Sequence, residues 1–271
     1  MNPKQTRATR FVSSFVLALI TIFAALPAAA QDAVTVGTVT ANGNTVDVPV
    51  SIRDISGTPL GRDQPAGSRI QSISIKVTYA PAAAVQSVTF TRAGITAGLT
   101  PISEFMPASS GAISLLVTFD ESTNLIPFTL NAGTPGDQVA HLSFTLSSSA
   151  SPGSAISLTL DPSLTQLTDQ AGTGATKESS LNGQLILVNG AINIPQLSLT
   201  ILPSNRSVTI NDSTTFTAQT DRNVIANTTV TLVSSNPSIA TVPPSVVQPP
   251  RMTSCPGRHL ALIQLPARPE R

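Results

Sequence analysis

Few side chains in this 271-residue chain are of the types that do chemistry, and their spacing argues against most reactions. It has two histidines, His141 and His259, and one cysteine, Cys255. A serine nucleophile needs a histidine and an acid beside it, and no G-x-S-x-G turn is present to expose one. His141 alternates with Leu142 and stands in register with Ser143 and Thr145, which puts it on the solvent side of a strand. Asp120 and Glu121 are adjacent, and neighbours on a strand face opposite ways, which suits no acid/base pair. Asp169, Thr173 and Glu178 belong to the Gly-rich run DQAGTGATKE and could offer oxygens to Ca2+. The run lacks the D-x-[DN]-x-[DN]-G spacing, so a solvated turn is the plainer reading. Its Gly172-Thr173-Gly174 is no phosphate cradle either, because no G-x-x-x-x-G-K-[ST] exists. The residues describe a chain that is not an enzyme, with no catalytic or cofactor-holding set.

Composition narrows the partners. Charged residues make up 11% of the chain, against about 25% in ordinary soluble domains. Residues 1–30 hold three basic residues and no acid, and residues 251–271 hold four Arg and one Glu. The body between them keeps eight basic and thirteen acidic residues, a net of −5, which is no footprint for nucleic acid. Flat polysaccharide platforms stack sugars on exposed aromatic rings, and here there is no Trp and one Tyr. Tyr79, Phe90, Phe119 and Phe144 fall on inward registers; Phe105 and Phe128 are free of that pattern and are read as core. A polar sugar groove stays open as the alternative to a protein partner.

The elements that must carry these residues are strands. Val46, Val48, Val50 and Ile52 alternate with polar neighbours, as do Ile73, Ile75, Val77 and Tyr79. Ile113, Leu115, Val117 and Phe119 repeat the pattern with Leu116 on the outer face, and so do Ala140, Leu142, Phe144 and Leu146. A period of two gives each strand one face for a core and one for water. Further strands are predicted over 85–91, 156–160 and 185–188, with turn clusters such as Ser151-Pro152-Gly153 between them. Many Ser/Thr-rich strands and no helical stripe predict an antiparallel β-sandwich.

The N-terminus reads as an export signal. Lys4, Arg7 and Arg10 precede an apolar run at 11–26, and Ala28-Ala29-Ala30 places cleavage before Gln31. The apolar run is short for a span of ~20 residues. The expected mature protein is secreted or on the cell surface, without a membrane span, and a monomer. With Cys255 alone, its body is held by no disulfide.

Three stretches of the first unit resemble a cohesin, the nine-strand jelly-roll module that docks dockerin domains in cellulosomes. Residues 33–52 (AVTVGTVTANGNTVDVPVSI) resemble its opening pair of strands. Residues 73–85 (ISIKVTYAPAAAV) resemble its amphipathic strand ending in Tyr-x-Pro, and residues 136–160 its Gly-Asp, strand, loop, strand segment. Asn182-Gly183-Gln184-Leu185 is similar to its final strand. The chain departs from the family at Ala80, where Asp or Asn is common, and in the long 55–68 loop. The resemblance covers residues 33–194 and implies docking of a dockerin-type protein in an extracellular assembly. The related cellulose-binding modules supply the alternative, a polysaccharide-binding module; a surface adhesin or spacer fragment is a third.

A boundary is expected at Ile194-Pro195, where a proline removes a ladder donor. Residues 199–217 and 234–246 (SSNPSIATVPPSV) resemble a bacterial immunoglobulin-like repeat, a spacer by trade. The division expected is a leader at 1–30, a cohesin-like sandwich at 31–194, a partial Ig-like domain at 195–247, and a tail at 248–271. That tail holds four Arg, Cys255, His259 and five prolines from Pro249 to Pro269. It is expected to be disordered and to arise from a frameshift that costs the Ig-like domain its last strands. Asn205, Asn211 and Asn227 open N-x-[ST] sequons, read as chance in an Asn/Thr-rich stretch.

Overall fold

The computed structural model describes residues 30–170, 174–207, 214–221, 224, 227–238, 241–248 and 261–265. All of the expected leader except Ala30 lies outside them, as do Thr173, Asn211, Cys255 and His259. Residues 32–193 form two sheets over one core. The smaller has five strands, in spatial order β13 (Leu185–Val188), β1 (Asp32–Val36), β3 (Thr45–Arg53), β9 (Asp137–Leu146) and β5 (Val85–Arg92). The larger runs β12 (Lys177–Ser179), β11 (Gln166–Thr168), β4 (Ser72–Ala80), β10 (Ala155–Leu160), β14 (Gly190–Asn193) and β2 (Thr38–Thr40). β8 (Ala112–Thr118) also pairs with β4, and carries β6 (Ser103–Phe105) and β7 (Ala108–Ser109).

The alternation read from the sequence is the alternation of the core. Val48, Val50 and Ile52, Ile73, Ile75 and Val77, Ile113, Leu115 and Val117, and Leu142, Phe144 and Leu146 are buried in one cluster. Each such side chain contributes about 1.5–3 kcal/mol by leaving water. Tyr79 keeps its polar end satisfied: its hydroxyl donates to Ser109 O at 3.2 Å while its ring meets Phe144 edge-on at 5.7 Å.

The cohesin resemblance implies nine strands; the sandwich has fourteen strand segments, partly because its first and last strands each break and change sheet. β1 leaves the smaller sheet at Gly37 and continues as β2 in the larger, and β13 does the same to become β14. The two broken strands lie side by side and parallel, Asp32 opposite Leu185 and Asn193 opposite Thr40. This corner is tight. Gly37 N–H donates to Pro49 O at 2.8 Å, and a Cβ on Gly37 would meet the Pro49 ring at 2.8 Å.

Beyond Ile194 the strands are β15 (Leu199–Leu202), β16 (Thr214–Thr220), β17 (Thr228–Thr231), β18 (Ser245–Gln248) and β19 (Ala261–Leu265). β16 pairs with β15 and β19, and β17 with β18. Ala218 is buried, with Phe216, Leu232 and Val246 packed around it. Of the expected tail, Gln248 and Ala261–Leu265 are among the described residues, the rest lying outside them; β19 pairs with β16 from Ala261 opposite Ala218 to Leu265 opposite Thr214. The five prolines flank this run and none falls inside it, so every residue of Ala261–Leu265 keeps its ladder N–H.

Candidate functional site

The open face of the larger sheet presents small polar side chains around an apolar row. On β4 the outward positions are Ser74, Lys76 and Thr78; on β10 they are Ser157 and Thr159; on β8 they are Ser114 and Leu116. Phe105 stands directly opposite Leu116, and Leu116 opposite Ser74, so the three share one face across three strands. Phe105 is 64% exposed and Leu116 44%. The row continues past Ser74, whose hydroxyl donates to the carbonyl of Leu164 at 2.8 Å, and Leu164 is 48% exposed. Ile102, just before β6, is 68% exposed.

The charges at this face are internally matched. Lys76 Nζ lies 3.2 Å from Asp161 Oδ2. The hydroxyl and N–H of Ser163, and then Lys76, hold the Asp161 carboxyl below its ordinary range. Arg92 braces the strand that carries Phe105. Its Nε donates to Glu104 at 2.7 Å, its Nη1 donates to the carbonyls of Thr96 and Leu99, and its guanidinium lies 6.0 Å from the Phe119 ring centre. The result is a near-neutral polar surface crossed by an apolar row that begins at the sheet edge.

The expected core role of Phe105 is therefore corrected, while Phe128 is buried. Residue type suggested burial, but β6 is a three-residue edge segment exposed at every position. Leu116 lies outward, as its register requires. His141 stands on the outer face of the smaller sheet, opposite Pro49 on one side and Thr91 on the other. Asp120 and Glu121 part company: Asp120 accepts from Ser122 N–H and Oγ, while Glu121 accepts from Gly67 N–H and Gln71 Nε2.

Of the three residues considered for Ca2+, Thr173 lies outside the described residues and the other two have different duties. Asp169 Oδ1 accepts from Thr176 N–H at 3.0 Å and closes the turn between β11 and β12. Glu178 points inward, fully buried, toward Asp32 at the start of β1. Among the described residues no three acidic, His or Cys side chains converge on a point that could hold a metal ion. What the sequence reading missed is an acidic end to the core. Asp32 shares the inward register of Val34, and Asp54 continues that of Val50 and Ile52. Asp32 Oδ1 accepts from Ile55 N–H at 2.8 Å, Glu178 Oε1 from Leu60 N–H at 2.8 Å, and Asp54 Oδ2 from Arg62 N–H at 2.9 Å. Burial, then the charge of Glu178, pushes the Asp32 carboxyl up to about 9. Burial also raises Glu178 and Asp54.

No family model matches the chain, and no curated protein matches it. The solved structures that it resembles are cohesins. One is the sixth cohesin of scaffoldin B from Acetivibrio cellulolyticus, solved in complex with a Cel5 dockerin: 21% identity, 60% of this chain and 99% of that one, TM-score 0.39. Another is the cohesin CaCohA2 of Clostridium acetobutylicum: 22% identity, 61% of this chain and 92% of that one, TM-score 0.41. A type II cohesin dyad from the A. cellulolyticus scaffoldin ScaA covers 88% of this chain and 85% of its own at 9% identity, TM-score 0.32. At these identities and scores the likeness carries no function with it.

Proposed function

We propose that this chain is a secreted, non-catalytic binding module that docks a dockerin-type protein on the open face of its larger sheet, with the unit after Ile194 as an Ig-like spacer. The resemblance of residues 33–194 to cohesins supplies the class of partner. The observation that carries the reading is the exposed Phe105–Leu116 pair, which borders the Ser/Thr face of the larger sheet. Protein interfaces combine apolar and polar surface in this way, over about 800 Å² per partner. A polysaccharide platform would need several stacked rings, and Phe105 is the one strongly exposed ring among the described residues.

Calorimetry separates the two readings. The chain is titrated with a protein bearing a duplicated D-x-[DN]-x-[DN]-G segment and, separately, with a panel of soluble polysaccharides. Saturable one-to-one binding of the protein supports the proposal. Binding to a polysaccharide and not to the protein overturns it.

A further inference from the structure

Asp32, Asp54 and Glu178 lie at one end of the sandwich on three different segments, and all three are fully buried. None pairs with a cation: the described ion pairs join Arg69 to Glu121, Lys76 to Asp161 and Arg92 to Glu104. Arg53, next to Asp54, donates instead to Ala132 O. Arg62, Asp63 and Asp137 act on Asp54, while the charged groups acting on Asp32 are Glu178 and Asp54. Asp32 and Glu178 lie within hydrogen-bonding reach of each other. Each spends one oxygen on a backbone N–H, and Asp32 Oδ2 and Glu178 Oε2 have no donor. Two ionised carboxylates cannot share such a site, because nothing there offsets their desolvation and repulsion. One added proton turns Asp32 into a donor toward Glu178 and satisfies the pair.

The pair also holds a loop. The N–H groups of Ile55 and Leu60 are its two backbone donors, and the Thr58 hydroxyl ties the same segment together, lying 3.0 Å from the carbonyl oxygen of Ile55 and 2.5 Å from that of Leu60. Leu60 is fully buried, so the segment plugs the end of the core. We propose that Asp32 and Glu178 share a single proton, and that this proton latches the 55–60 segment across the end of the sandwich. The latch is independent of what the open face binds.

The sign follows from where the proton is held. The folded chain keeps a proton that the unfolded chain gives up near pH 4, so the latch stabilises most at acidic pH. It is lost as pH rises toward about 9, the Asp32 value in the fold. For one proton taken up on folding, the equilibrium constant falls about tenfold per pH unit within that window.

The test is chemical unfolding of the full chain from pH 5 to 9, beside Asp32→Asn and, separately, Glu178→Gln. Each amide keeps the backbone acceptor and supplies the missing donor without a titrating proton. The wild-type folding constant relative to either variant should fall with pH by about tenfold per unit. A ratio independent of pH overturns the latch. So does a wild-type melting point that millimolar Ca2+ raises and chelation lowers, since a cation would then occupy the site. If both variants fail to fold, wild-type amide exchange decides. Protection at Ile55 and Leu60 lost toward pH 9 ahead of Ile75 supports the latch, and uniform protection refutes it.

Discussion

Gly190 and Gly37 touch where the last and first strands of the sandwich change sheet: a Cβ built on Gly190 would lie 2.1 Å from the carbonyl oxygen of Gly37. Neither residue needs an unusual backbone angle. What each needs is the absence of a side chain, because two chains bend through one corner.

Gly190→Ala should therefore destabilise the protein by about 1–3 kcal/mol, since the obstacle is backbone and cannot swing aside. Gly98→Ala is the control, with nothing within 4 Å of its Cβ. Denaturant midpoints measure both, and equal midpoints would show that the corner is looser than described.

A second pair of substitutions tests the register of the larger sheet. Ile75 is fully buried on β4, and Leu116 is exposed on the neighbouring β8. Ile75→Asp places an unpaired charge in the core and should cost more than about 4 kcal/mol, enough to unfold the domain. Leu116→Asp should leave the melting point within a degree or two of wild type.

Binding should respond in the opposite order. Leu116→Asp or Phe105→Ala should weaken capture of a dockerin-type protein by at least about tenfold, the scale of one central interface residue. Retained affinity in both would move the docking surface elsewhere.

Arg92→Ala should act on the same binding at one remove. It deletes the donors to Glu104, Thr96 and Leu99, costing about 1–3 kcal/mol of stability and loosening the strand that presents Phe105. Arg92→Lys cannot reach three acceptors in one plane and should rescue little.

His141→Ala should change neither stability nor binding, because its neighbours across the strands are Pro49 and Thr91. Turnover of a glycoside or ester that disappears in this variant would refute the non-catalytic reading.

The core was legible because alternation needs only neighbours. Val48, Ile75, Leu115 and Phe144 announce their burial by period two, and Leu116 announces its exposure as the residue that breaks the pattern. Phe105 was not legible, since its three-residue strand is too short to show a period and its type argued for burial. The sheet change at Gly37 depends on Pro49 and Gly190, which no local window connects to it. The acidic end was hidden for the same reason: Asp32, Asp54 and Glu178 are far apart in sequence, and each alone reads as an ordinary surface carboxylate.

The parallel arrangement of the broken first and last strands settles how the domain would carry a load. The chain comes in at Asp32, beside Leu185, and goes out at Asn193, beside Thr40. Those points are separated by eight residue steps along the strands, about 26 Å at 3.3 Å per residue. A pull on the two ends therefore runs along the seam between the strands, and rupture requires its hydrogen bonds to slide together instead of opening one at a time. A module threaded this way sits in a tethered chain as a link in series, bearing tension through its own backbone ladder while its open face stays available.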